Sequence, residues 1–420
     1  MQLIVYIYLL PLAQHEKQVR DFLDMSNTKI LILSKEKDEI KERIKRIETR
    51  IPQLNLDGGL PTPKWEITSN LSEQMQKLNV PGINIAVINN FEIEWTKCFG
   101  VKDIRTQEQV SLNTLFEAGS ATKTLVAVAV LNEVEKNLLD LDVGVNDKLR
   151  TWKIPDNEFT KENKVTLRQL ITHSAGINRP SSMFGCEEGK TPTIEQILNG
   201  ESPAKNDPVE VGFVPGKGHE YSNIGYIIIE KLLEDITGKK LSEIIEEVVL
   251  KPLEMNNSTV EYPSEELKKK SIVPHDDTGE AKETGLIRGA SAPGGLLTTP
   301  LELGKILVEL MKAYHGKSSK ILSSEMVKQM FSSQVPQMNS AKFFGFTGQG
   351  LGIFLIEDGD NLLITHPGTN MPGATCMMIA NVKTGHGAVI MANGINGELL
   401  NLMILFAIVK EYQWSSVWIL

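Results

Sequence analysis

The chain is poor in cysteine, histidine, basic charge and long apolar runs, and each shortage excludes a class of protein. Three cysteines, Cys98, Cys186 and Cys376, are scattered over 420 residues. A sparse, odd set is unlike a disulfide framework and favours a reducing, cytoplasmic compartment. The seven histidines form no HExxH and no paired Cys/His spacing, so neither a metal site nor a cofactor is expected. Asp and Glu outnumber Lys and Arg by 53 to 44, a net charge of -9. Nucleic acid as a partner needs clustered Lys and Arg, so none is expected. The Gly-x-Ser-x-Gly elbow is also missing. The two apolar runs, Met1 to Leu10 and Leu399 to Val409, fall short of the roughly 20 residues that cross a bilayer. Met1 to Leu10 has the look of a short signal core, but it lacks a basic start and a small-residue cleavage site. A buried strand or helix is the favoured reading of it, and a core-facing terminal helix that of Leu399 to Val409.

What is present divides into three zones. Residues 1–60 read as an N-terminal extension that ends in the turn-rich linker Asp57-Gly58-Gly59-Leu60-Pro61-Thr62-Pro63. Within it, Lys35 to Arg50 alternates charge around Ile40, Ile44, Ile47 and Ile51. This stripe could seat a homo-oligomer through residues 35–54 or pack on its own domain; its short length favours the second. Residues 61–420 read as one domain. Strands are expected at Val80 to Ile88 and, after an Asn89-Asn90 turn, at Phe91 to Cys98. They recur at Gly352 to Ile356, Leu362 to Thr365, Ala374 to Val382 and Ala388 to Ala392. A mostly helical stretch, 119–334, separates the sheet-forming parts 61–118 and 335–420. The expected fold is α+β: one antiparallel sheet of N- and C-terminal strands, flanked by helices, with a helical insertion.

The chemistry begins with a weak signal. Ser-x-x-Lys occurs four times, at Ser26/Lys29, Ser34/Lys37, Ser120/Lys123 and Ser202/Lys205. Only Ser120 follows a glycine and opens an apolar helix, Thr124 to Leu131, whose all-round hydrophobicity marks it as buried. Three residues on, Lys123 shares its face. An exposed lysine, with a pKa of about 10.4, is protonated at neutral pH and cannot serve as a base. Burial lowers that value and makes the amine a proton acceptor beside the hydroxyl. A helix-capping Ser with a solvated Lys would give the same spacing, so context has to decide. Tyr221-Ser222-Asn223 is the only Tyr-x-Asn and His366-Pro367-Gly368 the only His-x-Gly of the chain. A phenol beside ammonium groups loses its proton more readily, and Asn can bond both a lysine and a substrate amide.

In this order, Ser120-Ala121-Thr122-Lys123, Tyr221-Ser222-Asn223 and His366-Pro367-Gly368 resemble the three motifs of the penicillin-recognising serine hydrolases. The nearest branch holds the class C β-lactamases with the related carboxylesterases, D-aminopeptidases and D,D-carboxypeptidases. Val80-Pro81-Gly82, Thr166 to Gly176, Pro293 to Thr299 and Gly350-Leu351-Gly352 agree with it, over roughly residues 62 to 410. The resemblance implies a β-lactamase/transpeptidase-like fold and an acyl-enzyme on Ser120, with Lys123 and Tyr221 moving protons. It implies that Asn223 holds substrate and Lys123, that His366 and Gly368 border the substrate, and that the backbone N–H groups of Ser120 and Thr369 form an oxyanion hole. Lys383-Thr384-Gly385 matches another form of the third motif, but it sits between two strands and reads as a hairpin turn. His366 and Pro367 lack the fixed cation and hydroxyl that bind a carboxylate, so small esters or peptide-like amides are expected substrates. A β-lactamase or D,D-carboxypeptidase is the alternative, and a catalytically weak penicillin-binding or scaffold protein the second alternative.

Overall fold

The computed structural model describes residues 29–33, 37–57, 60–179, 185–287, 289–335 and 345–414. Met1 to Leu10 therefore lies outside the described residues. The alternating apolar segments found at the two ends of the sequence come together in one ten-stranded sheet. Its strands are β1 (Ile30–Ile32), β2 (Gly82–Asn89), β3 (Glu92–Asp103), β4 (Glu108–Gln109), β5 (Gly348–Gln349), β6 (Phe354–Asp358), β7 (Asn361–Thr365), β8 (Gly368–Asn370), β9 (Ala374–Asn381) and β10 (His386–Ala392). They run in the order β1-β3-β2-β10-β9-β7-β6-β5, with β4 on β3 and β8 on β9. Each pairing is antiparallel. The β2–β3 turn falls one residue later than expected. Asn90 and Phe91 both take left-handed backbone (φ 51° and 63°), the type I′ geometry that matches the twist of a hairpin. The Phe91 N–H donates to Gly385 O at 2.9 Å, which anchors this costly turn.

Successive side chains on a strand point to opposite faces, and here both faces are apolar. Ile83, Ile85 and Val87 of β2, with Ala388 and Ile390 of β10, join one core; Ile88, Val389 and Met391 join the other. The first core is covered by α1 (Lys37–Thr49) and the terminal helix α5 (Gly397–Tyr412). The second holds α2 (Thr122–Glu135), α3 (Asn223–Thr237) and α4 (Pro300–Tyr314). From Leu125 to Leu131 every residue of α2 is fully buried, as its uniform apolar surface demands. Burying one such aliphatic side chain contributes roughly 1.5–3 kcal/mol, which fixes the helix that carries the site.

Of two readings of the N-terminal zone, the packing of the isoleucine stripe on its own domain holds and the linker does not. The isoleucines of α1 do not face a second copy: Ile40, Ile44 and Ile47 are 1–3% exposed and pack into the core under α5. The Asp57 to Pro63 segment is not a linker between domains. It connects the paired strands Ile51–Asn55 and Thr62–Ser69, where Leu54 faces Pro63, so one hairpin crosses the boundary drawn at residue 60. Composition misled because turn residues serve hairpins and linkers alike. Lys383-Thr384-Gly385 is the β9–β10 turn, as expected, with Gly385 at φ 72°. Among the described residues no helix is long and apolar enough to cross a membrane.

Candidate active site

The three motifs sit on four elements that converge at the amino ends of α2 and α3. Ser120 lies in the 3₁₀ turn Gly119–Ala121, which runs directly into α2. The turn is locked where the Thr122 hydroxyl donates to Gly119 O at 2.7 Å and accepts from Leu296 N at 3.0 Å. Asn223 opens α3, whose cap is Ser222: its hydroxyl accepts from Gly225 N at 3.0 Å. Tyr221 immediately precedes that cap. His173, itself at φ 59°, holds the approach to it. Its Nδ1 accepts from Ser222 N at 3.1 Å and its carbonyl from Glu220 N at 2.9 Å. His173 thus anchors the loop that leads into α3.

The third motif meets Ser120 through backbone. β8 pairs with β9 on one side, Thr369 facing Thr375, and lies against the Ser120 turn on the other. A Cβ on Gly368 would stand 2.0 Å from Ala118 O and 2.9 Å from Ser120 N; one on Gly119 would stand 2.6 Å from Thr369 N. Glycine at both positions is what lets the Ser120 and Thr369 amides share one small space. The Thr369 hydroxyl donates to the Glu398 carboxylate. Beside Thr369, Asn370 Nδ2 donates to Glu117 at 2.9 Å and to Gly294 O at 3.1 Å. Burial raises the Glu117 carboxyl above the usual carboxylate range against the pull of Thr284 and Asn370.

Lys123 is completely buried and makes three polar contacts. Its Nζ lies 3.1 Å from Ser120 Oγ, 2.8 Å from Asn223 Oδ1 and 2.5 Å from the Pro293 carbonyl. Burial pushes its pKa well below the ordinary lysine value, and no carboxylate pairs with it among these contacts. A neutral amine has two N–H donors and one lone pair. In that state Asn223 Oδ1 and Pro293 O can take both donors, which would leave the lone pair for the Ser120 hydroxyl. Tyr221 also reaches Ser120 by hydrogen bond, and its ring centre lies 5.0 Å from Lys123 Nζ. The expectation that its phenol loses a proton readily is reversed: burial raises its pKa, and the bond to Ser120 opposes that only in part. Because the residue is 38% exposed, water moderates the rise. Desolvation outweighs the bond to Ser120 there.

His366 needs a correction of another kind. It closes β7 beside the site, but it is 1% exposed and its ring packs on Phe354 at 5.0 Å between centres. Nδ1 bonds Pro367 O at 2.9 Å, and burial, with any charge on Lys123, lowers its pKa to about 3. It backs Tyr221, 6.4 Å away between ring centres, and presents no surface to a substrate. The cleft itself is narrow, about 50 Å³, and is lined by Ser120 and Asn223, the Pro293–Gly295 segment, Thr369 and Asn370, with Ile287 and Ala290. No charged side chain is among these residues. A larger cavity, about 480 Å³, opens at Pro155–Phe159 and Glu210–Gly212, away from Ser120. Its acidic, shallow lining holds none of the motif residues.

A family model described as Beta-lactamase matches residues 67–401, most of the chain. The chain belongs to the beta-lactamase family. Protein flp of Staphylococcus aureus strain MW2 is 23% identical over 368 residues, covering 84% of this chain and 68% of that protein. Among solved structures, the octameric penicillin-binding protein homologue from Pyrococcus abyssi superposes with a TM-score of 0.66 at 24% identity, over 82% of this chain and 76% of that one. The D-amino acid amidase from Ochrobactrum anthropi SV3 does so with a TM-score of 0.62 at 21% identity, over 82% and 96%. This beta-lactamase-family chain therefore shares the β-lactamase/transpeptidase-like fold of a serine hydrolase family. Sequence reading missed two of its site contacts, the Pro293 carbonyl and the carboxylate behind it, Glu230. Pro293-Gly294-Gly295 was visible as a block. Glu230 was visible as a charge inside the apolar run Tyr226 to Leu233.

Proposed function

We propose that the protein is a serine hydrolase that cleaves small carboxylic esters or peptide-like amides through an acyl-enzyme on Ser120. The observation that carries this reading is the buried Lys123 Nζ, held by Asn223 Oδ1 and the Pro293 carbonyl 3.1 Å from Ser120 Oγ. As the hydroxyl oxygen attacks the substrate carbonyl, its proton passes to Lys123. The amides of Ser120 and Thr369 stabilise the developing oxyanion, each donor contributing about 3 kcal/mol. The amino ends of α2 and α3 add positive potential at the same point. Tyr221, protonated in the resting site, donates to the leaving group. The proton on Lys123 then passes to the Tyr221 phenolate, which restores both groups. In deacylation water attacks the acyl carbonyl as Lys123 takes its proton, and Tyr221 returns a proton to Ser120 Oγ as it leaves.

The cleft supports an uncharged group beside the scissile bond. Among the described residues no cation lines it, and the histidine that stands in the third motif is buried and neutral above a pH of about 3. A β-lactam carboxylate finds no partner among these groups. The test is a panel of p-nitrophenyl esters, D-amino-acid amides and cephalosporins assayed on wild type and Ser120→Ala. Short esters or amides are expected to turn over best, with all activity lost in the variant. Efficient cephalosporin hydrolysis beside poor ester hydrolysis would overturn the substrate assignment. No turnover and no labelling of Ser120 would support a scaffold role instead. If the chain assembles as its octameric relative does, the interface lies elsewhere than the isoleucine face of α1, which is buried within the chain.

A further inference from the structure

α3 touches the catalytic lysine twice, once directly and once through a loop. Asn223, at its first position, accepts from Lys123. Glu230 lies seven residues on, two turns along the same face, and is 5% exposed. Its Oε2 accepts from both Ser291 N and Ala292 N, each at 2.8 Å. The next residue is Pro293, whose carbonyl takes the second Lys123 donor. Proline has no N–H of its own and cannot tie down the loop at that point. The Pro293 peptide is itself tied where Gly294 N donates to Ser291 O at 3.2 Å, and the Glu230 bonds to the Ser291 and Ala292 amides seat that turn. A carboxyl group sealed in an apolar helix is costly, and α3 could bury an aliphatic side chain there instead. Burial raises Glu230 to about 8 against the two backbone bonds. Either protonation state can accept both amides.

We propose that Glu230 is a positioning residue: by holding the Ser291 and Ala292 amides it fixes the Pro293 carbonyl that turns the Lys123 lone pair toward Ser120. This rests on Lys123 acting as the base of a Ser120 hydrolase. Were Pro293 O to drift, Nζ would keep one fixed donor and could swing its lone pair away from the serine. Glu230→Gln keeps the reach and one acceptor oxygen, whereas Glu230→Asp keeps the charge but is one methylene short. In p-nitrophenyl acetate kinetics, Glu230→Gln is expected within about threefold of wild-type kcat. Glu230→Asp is expected to lose about tenfold or more in kcat with little change in KM, consistent with the steep dependence of rate on small misplacements. The acid limb of its pH profile should move to higher pH as Lys123 gains access to water. Titration of Lys123 by NMR in ¹³C-lysine-labelled protein reads the same shift without any turnover. If wild type proves inactive, the hydrolase reading fails, while the NMR titration still judges the coupling. Equal losses in the Gln and Asp variants, or wild-type rates and an unmoved Lys123 titration in Glu230→Asp, would overturn the proposal.

Discussion

Gly368→Ala isolates the oxyanion geometry from the proton-transfer groups. Gly368 does not lie in the left-handed region, so alanine can adopt its backbone. The whole cost is contact. The added Cβ would stand 2.0 Å from Ala118 O, whereas such atoms essentially never come closer than 3.0 Å, so β8 must retreat by about 1 Å. That movement carries the Thr369 amide away from its place beside Ser120 N. A misplacement of about 1 Å costs on the order of 10²-fold in rate, and loss of one oxyanion donor costs about 3 kcal/mol, again on the order of 10²-fold. The two routes agree. We expect kcat for p-nitrophenyl acetate to fall about 100-fold, KM to change little, and stability to fall by about 1–3 kcal/mol from overpacking. Stopped-flow burst kinetics measure the acylation step, and circular dichroism with a thermal melt controls for folding. A folded Gly368→Ala variant whose acylation rate stays within threefold of wild type would refute the oxyanion assignment.

Lys123→Met should abolish acylation yet raise the melting temperature at neutral pH, because the wild type must hold a lysine neutral in the core. The sign follows from linkage. The folded pKa is lowered, so between it and about 10.4 only the unfolded state carries the proton. The advantage of Met is therefore expected to shrink as pH rises toward 10, which thermal melts at pH 7 and pH 9.5 would show. Tyr221→Phe should slow amide hydrolysis by at least about 10²-fold, and p-nitrophenyl esters much less, since their leaving group needs no proton; equal losses on both would argue against Tyr221 as the acid. Ile44→Ala removes a side chain 2% exposed and is expected to cost about 2–5 kcal/mol without changing the oligomeric state by light scattering.

The sequence carried the sheet and the reacting groups further than the connections. Strands at the two ends were legible because Ile83 to Ile88 and Ala374 to Val382 alternate between two real cores. The α2 helix was legible because it is apolar on every side. Ser120, Lys123 and Asn223 meet as the motifs implied. Four things were not legible. The Asp57 to Pro63 segment looked like a linker because strand partners such as Asn55 and Thr62, or Ile51 and Ser69, leave no local mark of their pairing. The tyrosine's proton affinity depended on whether burial or neighbouring charge wins, which only the packed site decides. His366 looked like a substrate contact because a motif records position along the chain and says nothing of which way a ring turns. Glu230 reaches the site through the backbone amides of Ser291 and Ala292, and Pro293 through its carbonyl, so neither contact has a residue signature.

The central claim is that Ser120 is the acylated nucleophile. Intact-mass spectrometry of protein quenched during turnover of a slowly deacylating p-nitrophenyl ester tests it directly. The account predicts one acyl adduct on wild type, mapped by peptide digestion to Ser120, and none on Ser120→Ala. An adduct that persists in Ser120→Ala, or hydrolysis by that variant at the wild-type rate, would contradict it.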